Sequence, residues 1–329
     1  MNRVSISIVS ACLLISACGG SGGGGANSSN PPSAMLKVTS ANALEVTQTS
    51  YAAALASASL GDLSGETGLI ASGPDQVSKL DGSFGTASKI NGGGSSNQVP
   101  LPPQTEMCAI SGSVTISGDI ADPFSPTLTP NDFFEIAFDQ CVDAPGESTH
   151  GVLRFDVDDF AGDFLAGIYD LTMTLTLDNF QVTTAEDALT SNGSATVGIN
   201  TMNTPSVSAS VSGSSMTVDS NAGSESLRNF ISAQTLNAGI FPSPYTMTAS
   251  GTLDTTQLDG TVRYSTPVMF EGFDNDYPGV GEFLVTGDDS SARLVAESNV
   301  NVRIEIDIDG DTVIDETINT TWAELDSTP

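Results

Sequence analysis

The chain has 329 residues, with 40 Asp and Glu against 9 Lys and Arg, for a formal net charge of −31. Phosphate affinity comes from clustered Lys and Arg, so this balance excludes nucleic acid as a partner. Charged residues are only 15% and hydrophobic ones 39%, so a core is affordable and the polar surface must be largely Ser, Thr, Asn and Gly. Such acidity keeps a chain soluble and repels anionic surfaces. It suits a high-salt medium, where repulsion is screened within less than ~10 Å.

Arg3 gives a short basic start, Val4 to Ala17 is mostly apolar, and Cys18 follows. Residues 1–17 read as a signal peptide, too short for a spanning helix of ~20 apolar residues. The run Ile15-Ser16-Ala17-Cys18 resembles the lipobox of bacterial lipoproteins. That resemblance implies cleavage before Cys18, diacylation of its thiol with palmitate-type chains, and acylation of the new amine. Cys12 fits the local pattern but leaves too short an apolar region. Gly19 stands where an Asp would imply inner-membrane retention. The resemblance therefore implies the outer membrane, with the chain facing the periplasm or the cell surface. Several acyl chains anchor stably where one is marginal. Residues 18–35 then form the lipidated Cys and a flexible tether, Gly19 to Ser33 being Gly- and Ser-rich, with a reach of roughly 20 Å.

Residues 36–61 hold one short helix. Thr39 or Ser40 caps it, Gly61 ends it, and Leu44, Tyr51 and Leu55 fall near one face. Residues 62–106 are rich in Gly, Ser and Pro and read as linker or loop.

Residues 107–326 change to a period of two. Strands are expected at Val114–Ile116, Phe134–Phe138, Val152–Val157, Leu171–Leu177, Ala195–Ile199, Val207–Val211 and Ser215–Val218. Others follow at Tyr245–Leu253, Gly260–Tyr264, Gly281–Val285, Ala292–Ala296, Val300–Ile308 and Val313–Trp322. Turn pairs such as Asn192-Gly193, Asp259-Gly260 and Asp309-Gly310 separate some of them. The expected fold is mainly β: an antiparallel multi-strand meander forming a sandwich or a curved, barrel-like sheet, with the helix at its N-terminus. Aromatic residues are 6%, with one Trp, too few for the interfacial girdles of an outer-membrane barrel.

With Cys12 cleaved away and Cys18 acylated, Cys108 and Cys141 remain, and an exported compartment favours their pairing. The run Asp307-Ile308-Asp309-Gly310-Asp311, with Asp315 four residues on, is the strongest ligand-like motif. Calcium takes six to eight oxygens, and alternate acids on a turn can converge on it. The run resembles Asp-x-Asp-Gly-Asp calcium loops, with Asp307, Asp309, Asp311 and Asp315 at positions one, three, five and nine. Thr312 stands where such loops have Gly, and Ile318 where they have a bidentate Glu. The competing reading is a hairpin with a tight Asp309-Gly310 turn and its acids in water. Asp274-Asn275-Asp276 and Asp156, Asp158 and Asp159 are weaker candidates, read as solvated loop or strand faces.

The catalytic inventory is thin. His150, the single His, sits in an expected polar loop, and no Gly-x-Ser-x-Gly elbow accompanies it. Zinc hydrolases want two or three His. Paired carboxylates could cleave glycosides, but among forty acids such pairs arise by chance.

Beyond the lipobox, Thr39 to Ala43 (TSANA), Cys108 to Thr115 (CAISGSVT), Asn131 to Cys141 (NDFFEIAFDQC) and Thr321 to Leu325 (TWAEL) resemble a loose group of uncharacterised proteobacterial lipoproteins. The expectation is an outer-membrane-anchored lipoprotein with a non-catalytic, β-rich binding or structural domain. Its membrane contact is the lipid anchor, and an envelope protein or glycan is its partner. The alternatives are a carboxylate-dependent hydrolase acting on polysaccharide and a carrier of apolar ligands.

Overall fold

The computed structural model describes residues 34–66, 99–121, 127–164, 166–185, 187–221, 223–273 and 276–326. The signal peptide, Cys12, Cys18, the tether to Ser33 and most of the expected linker lie outside the described residues.

One helix precedes a meander of strands. It is α1 (Ala43–Glu66), followed by β1 (Val99–Met107), β2 (Ser111–Ile120), β3 (Phe133–Val142), β4 (Ser148–Asp163) and β5 (Ile168–Thr183). Then come β6 (Ala188–Asn200), β7 (Ser206–Asp219), β8 (Ser224–Asn237), β9 (Pro244–Thr255) and β10 (Gly260–Phe273). Next are β11 (Val280–Gly287), β12 (Ser290–Ala296), β13 (Asn301–Asp307), β14 (Glu316–Thr321) and a short α2 (Trp322–Asp326). All fourteen strands form one sheet in chain order, each pairing antiparallel with its sequence neighbour. The mainly β meander is thus found. It is one curved sheet, not a two-sheet sandwich, and it does not close into a barrel.

Period-two patterning explains the sheet. In β5, Tyr169, Leu171, Met173, Leu175 and Leu177 are buried, and Asp170, Thr172, Thr174 and Thr176 alternate with them. Phe134, Ile136 and Phe138 of β3 and Leu153, Phe155 and Val157 of β4 continue the same face. Burial of one such Leu or Phe is worth ~1.5–3 kcal/mol.

The helix accounts for the curvature. It touches β6–β9 and β11–β13, and its Tyr51 ring meets Phe270 of β10. Eight strands laid side by side span ~34 Å at ~4.8 Å spacing. With 24 residues, α1 is ~36 Å long, so it lies across the strands. Ala43, Val46, Thr47, Ser50, Ala53, Ala54, Ala56, Ser57 and Ala58 are all buried. At ~100° per residue these positions cover more than half its circumference, so the sheet wraps it. The small side chains allow close approach. Buried Thr47 and Ser57 donate to the helix's own Ala43 and Ala54 carbonyls, both at 2.7 Å, which satisfies them without an outside partner.

Both ends of this packing are tied. Residues 34–38 lie on the sheet: Leu36 N donates to Thr261 O at 2.9 Å, Thr261 N to Ala34 O at 3.0 Å, and Val38 N to Ser290 Oγ at 2.8 Å. At the other end Trp322, 1% exposed, donates Nε1 to the Pro278 and Ser298 carbonyls, both at 3.1 Å. Gln48 Nε2 of α1 reaches the Glu324 carbonyl at 3.0 Å.

Six expectations are corrected. The helix begins at Ala43, after a turn in which Asn42 Oδ1 accepts from Thr39 N at 2.7 Å. It also runs past Gly61, because an internal Gly costs only ~1 kcal/mol against Ala. Its principal buried face is the small-residue one, whereas Leu44 is exposed. The expected linker contains β1, whose three prolines disguise it as a loop; Pro is tolerated there because β1 is an edge strand. The sequence alternation missed β8, because a bulge at Asn229 (φ 47°) shifts the phase between Leu227 and Phe230. The two short strands expected at Val207–Val211 and Ser215–Val218 are one, β7. Its Gly213 leaves room for the Phe230 ring, which a Cβ would strike.

Candidate cation-binding loop

The segment joining β13 to β14 runs from Ile308 to Asp315. The expected tight Asp309-Gly310 turn does not form: Ile306 pairs with Glu316, and eight residues bridge the strands. The reason is local hydrogen bonding. Asp307, 6% exposed at the end of β13, accepts from Gly310 N at 2.7 Å through Oδ1 and from Thr312 N at 2.9 Å through Oδ2. Asp309 Oδ1 accepts from Asp311 N at 3.3 Å, and Asp311 Oδ1 from Val313 N at 2.8 Å. Asp315 Oδ2 closes the loop on Ile308 N at 2.8 Å. These side chains compete with the ladder for backbone donors and hold the loop open. Gly310 (φ 77°) and Thr312 (φ 71°) take the left-handed turns it needs. The second is costly for a β-branched residue.

Three of the four expected ligands converge. Oxygens of Asp307, Asp309 and Asp315 lie within 4.8 Å of one another. Two oxygens on opposite sides of one calcium, each at 2.3–2.6 Å, are ~4.6–5.2 Å apart, so the spacing fits a single ion. Asp311 is not in this group; its carboxylate faces the Val313 amide. Ile318 lies in β14 opposite Ile304 and supplies no oxygen. Backbone carbonyls and water would have to complete the shell.

The other candidates take structural places. Cys108 and Cys141 are bridged, with Cα atoms 5.5 Å apart, tying the β1–β2 turn to β3. The closed loop contributes about 3–4 kcal/mol in the chain-entropy description. Asp143 lies beside the bridge, but bridged sulfurs offer no thiolate to a metal. His150 is exposed within β4 opposite Gln181, so the expected polar loop around it is partly strand. Asp156 binds Arg154, which also lies 4.0 Å over the Phe133 ring, and that pairing raises the guanidinium's pKa. Asp158 accepts from Thr174 Oγ1 at 2.8 Å and Asp159 from Phe160 N at 3.0 Å. These acids belong to a strand face. Asp274 and Asn275 lie outside the described residues.

Two features escaped the sequence reading. Tyr51, Tyr264, Tyr277, Phe270, Phe283 and Trp322 form one aromatic cluster beneath α1, with centroids 5.5–6.0 Å apart. Burial raises the pKa of Tyr51, and that of Tyr264 to about 12. The single Trp and the rings of Tyr264, Phe270 and Phe283 are therefore taken up by packing, whereas Tyr277 stays 38% exposed. The second is Glu225 of β8, 8% exposed, whose pKa burial pushes up to about 7. Its signal in the sequence was its phase: it stands two residues before the buried Leu227.

Compared with family models, with curated proteins and with solved structures, the chain matches none.

Proposed function

We propose that this chain is an envelope lipoprotein, acylated at Cys18 and lodged in the outer membrane, whose all-β domain binds a partner or braces the envelope without catalysis. The observation that carries the reading is where the domain starts. Directly after the Gly/Ser run, Ala34 and Leu36 are hydrogen-bonded to Thr261. A chain held at Cys18 would therefore display the whole sheet on a tether of roughly 20 Å reach. The same reading gives the 307–315 loop a calcium ion that braces the last hairpin, supported by the three converging carboxylates.

A native-only ligand stabilises by roughly 2.7 kcal/mol at a hundred times its Kd. Calcium is expected to raise the melting temperature, and Mg²⁺ less, because it demands shorter bonds and keeps its waters. Asp309→Ala should abolish the shift. A melt indifferent to calcium and chelator removes the ion from the proposal. For the anchor, Cys18→Ser should move the protein from the membrane pellet to the soluble fraction. Unchanged pelleting and persistent palmitate labelling of that variant would sink it.

A further inference from the structure

We infer that the free edge of β14 docks an extended, uncharged peptide segment of a partner protein, flanked on both sides by basic residues. An open sheet has two edges, and each exposes a row of unpaired backbone groups. In β1, Pro100, Pro102 and Pro103 remove donors, and its register with β2 slips between Leu101 and Gln104. That edge is a poor template. By contrast, β14 (ETINTT) contains no Pro, Lys or Arg, and pairs with β13 in six successive registers without a bulge.

The direction of its backbone groups follows from parity. Trp322 N donates to Val300 O, and Glu297 N to Asn301 O. Bonding residues alternate along an antiparallel strand, so even-numbered residues of β13 and β14 bond to each other and odd-numbered residues of β13 bond to β12. Thr317 and Asn319 therefore direct N–H and C=O to the outer side, where no described strand pairs. Thr321 N is already taken by Glu324 Oε2 at 3.0 Å, which limits the open run to the middle of the strand. Such an edge accepts an added strand through main-chain bonds, and its surroundings set specificity.

Those surroundings are acidic at both ends. Asp309, Asp311, Asp315 and Glu316 are exposed before the open run, and Glu324 and Asp326 after it. The nearest cation on the sheet, Arg303 opposite Asn319, is held by Glu297 and Glu305. An uncharged strand with basic flanks complements this pattern. A second copy does not: antiparallel β14 strands would set the acidic loop of one against Glu324 and Asp326 of the other. This inference goes beyond the tethered-module proposal and does not depend on acylation; a calcium ion on Asp309 and Asp315 would offset part of the acidity before the open run, so the peptide is tested with chelator present.

The test uses the full-length protein and a fluorescein-labelled peptide, Lys-Lys-Thr-Val-Thr-Val-Thr-Lys-Lys, read by fluorescence anisotropy. Binding should weaken as salt rises, and a peptide with Glu in place of every Lys should not bind. Asn319→Pro deletes an outward donor without breaking the β13 ladder. It should weaken binding by roughly several-fold to tenfold and leave the melting temperature unchanged. Hydrogen exchange on the unsubstituted protein is the second readout, because it survives a folding defect in the variant. The peptide should protect the Thr317 and Asn319 amides. Protection elsewhere, or equal binding by a folded Asn319→Pro variant, overturns the inference. So does a dimer, present without peptide, that Asn319→Pro dissolves, because the edge would then serve a second copy.

Discussion

Glu225 is the side chain with the clearest solution signature. It faces inward from β8 with Val218 opposite on β7 and Thr255 opposite on β9, and burial disfavours its charged form. Its folded pKa, about 7, lies above the ordinary Glu value of 4.5. Below the unfolded value both states hold the proton, and stability is complete. Between the two values the folded state holds a proton that the unfolded state releases, so stability falls as pH rises. Above the folded value the loss is full, of the order of 3 kcal/mol. Glu225→Gln is expected to raise the urea midpoint at about pH 8 and to leave it little changed at about pH 4. An equal effect at both pH values would assign the change to packing instead. The acids of the 307–315 loop differ in kind. Except for Asp307 they are exposed, and each of the four accepts at least one backbone amide.

At the scale of elements, α1 decides the most. Its Ala-rich face fits against the sheet because nothing longer than a methyl or hydroxyl protrudes at most of the contacts. Ala54 is fully buried there. Ala54→Leu adds volume to a closed interface, and overpacking typically costs about 1–3 kcal/mol. Chemical denaturation should show that loss, whereas Leu44→Ala on the exposed side of the same helix should stay within about 0.5 kcal/mol. If Ala54→Leu were neutral, the sheet could not be clamped on the helix as described. The strands carry a recurrent device of their own. Gln140 in β3, Asn179 in β5 and Asn229 in β8 all have positive φ, near 47–48°, and each sits where the register with a neighbour slips. Such bulges bend and twist a strand, which is how a long meander follows a curved path.

For the whole molecule the charge balance dominates. Arg154, Arg228, Arg293 and Arg303 are each paired with acids, yet the chain remains at −31. Self-repulsion of that size disfavours the compact state. Raising sodium chloride from about 0.05 M to about 1 M shortens the screening length from over ~10 Å to ~3 Å. The melting temperature should therefore climb with salt, more than with an equal osmolality of sucrose. Equal responses to the two solutes would count against net repulsion as the main destabilising force. Much of β6 to β9 escapes this charge: Ala188 to Val218 and Asn229 to Leu253 contain no Asp, Glu, Lys or Arg, and the charges of these strands gather at one end, in Asp219, Glu225, Arg228 and Asp254. Ser, Thr and Asn supply the polarity there, as the low charged fraction required.

Several features were settled by the sequence alone. Period-two alternation in β3, β5 and β11 to β13 is a local property, since one face must be buried and the next wet, and it set the fold class. Two cysteines at 108 and 141 sufficed to name the bridge. Asp307, Asp309 and Asp315 were legible as a group because ligand spacing is written in a short run. What only tertiary structure decided was long-range or competitive. Whether Asp309-Gly310 turned tightly depended on Asp307 capturing two amides. Asp311 left the group by the same competition. The phase of β8 was hidden by one bulge, and β1 was masked by prolines that only an edge position tolerates. That the sheet stays open, wraps a helix of small residues and, among the described residues, leaves β14 without a strand on its outer side follows from summed twist and packing over fourteen strands, which no local pattern encodes.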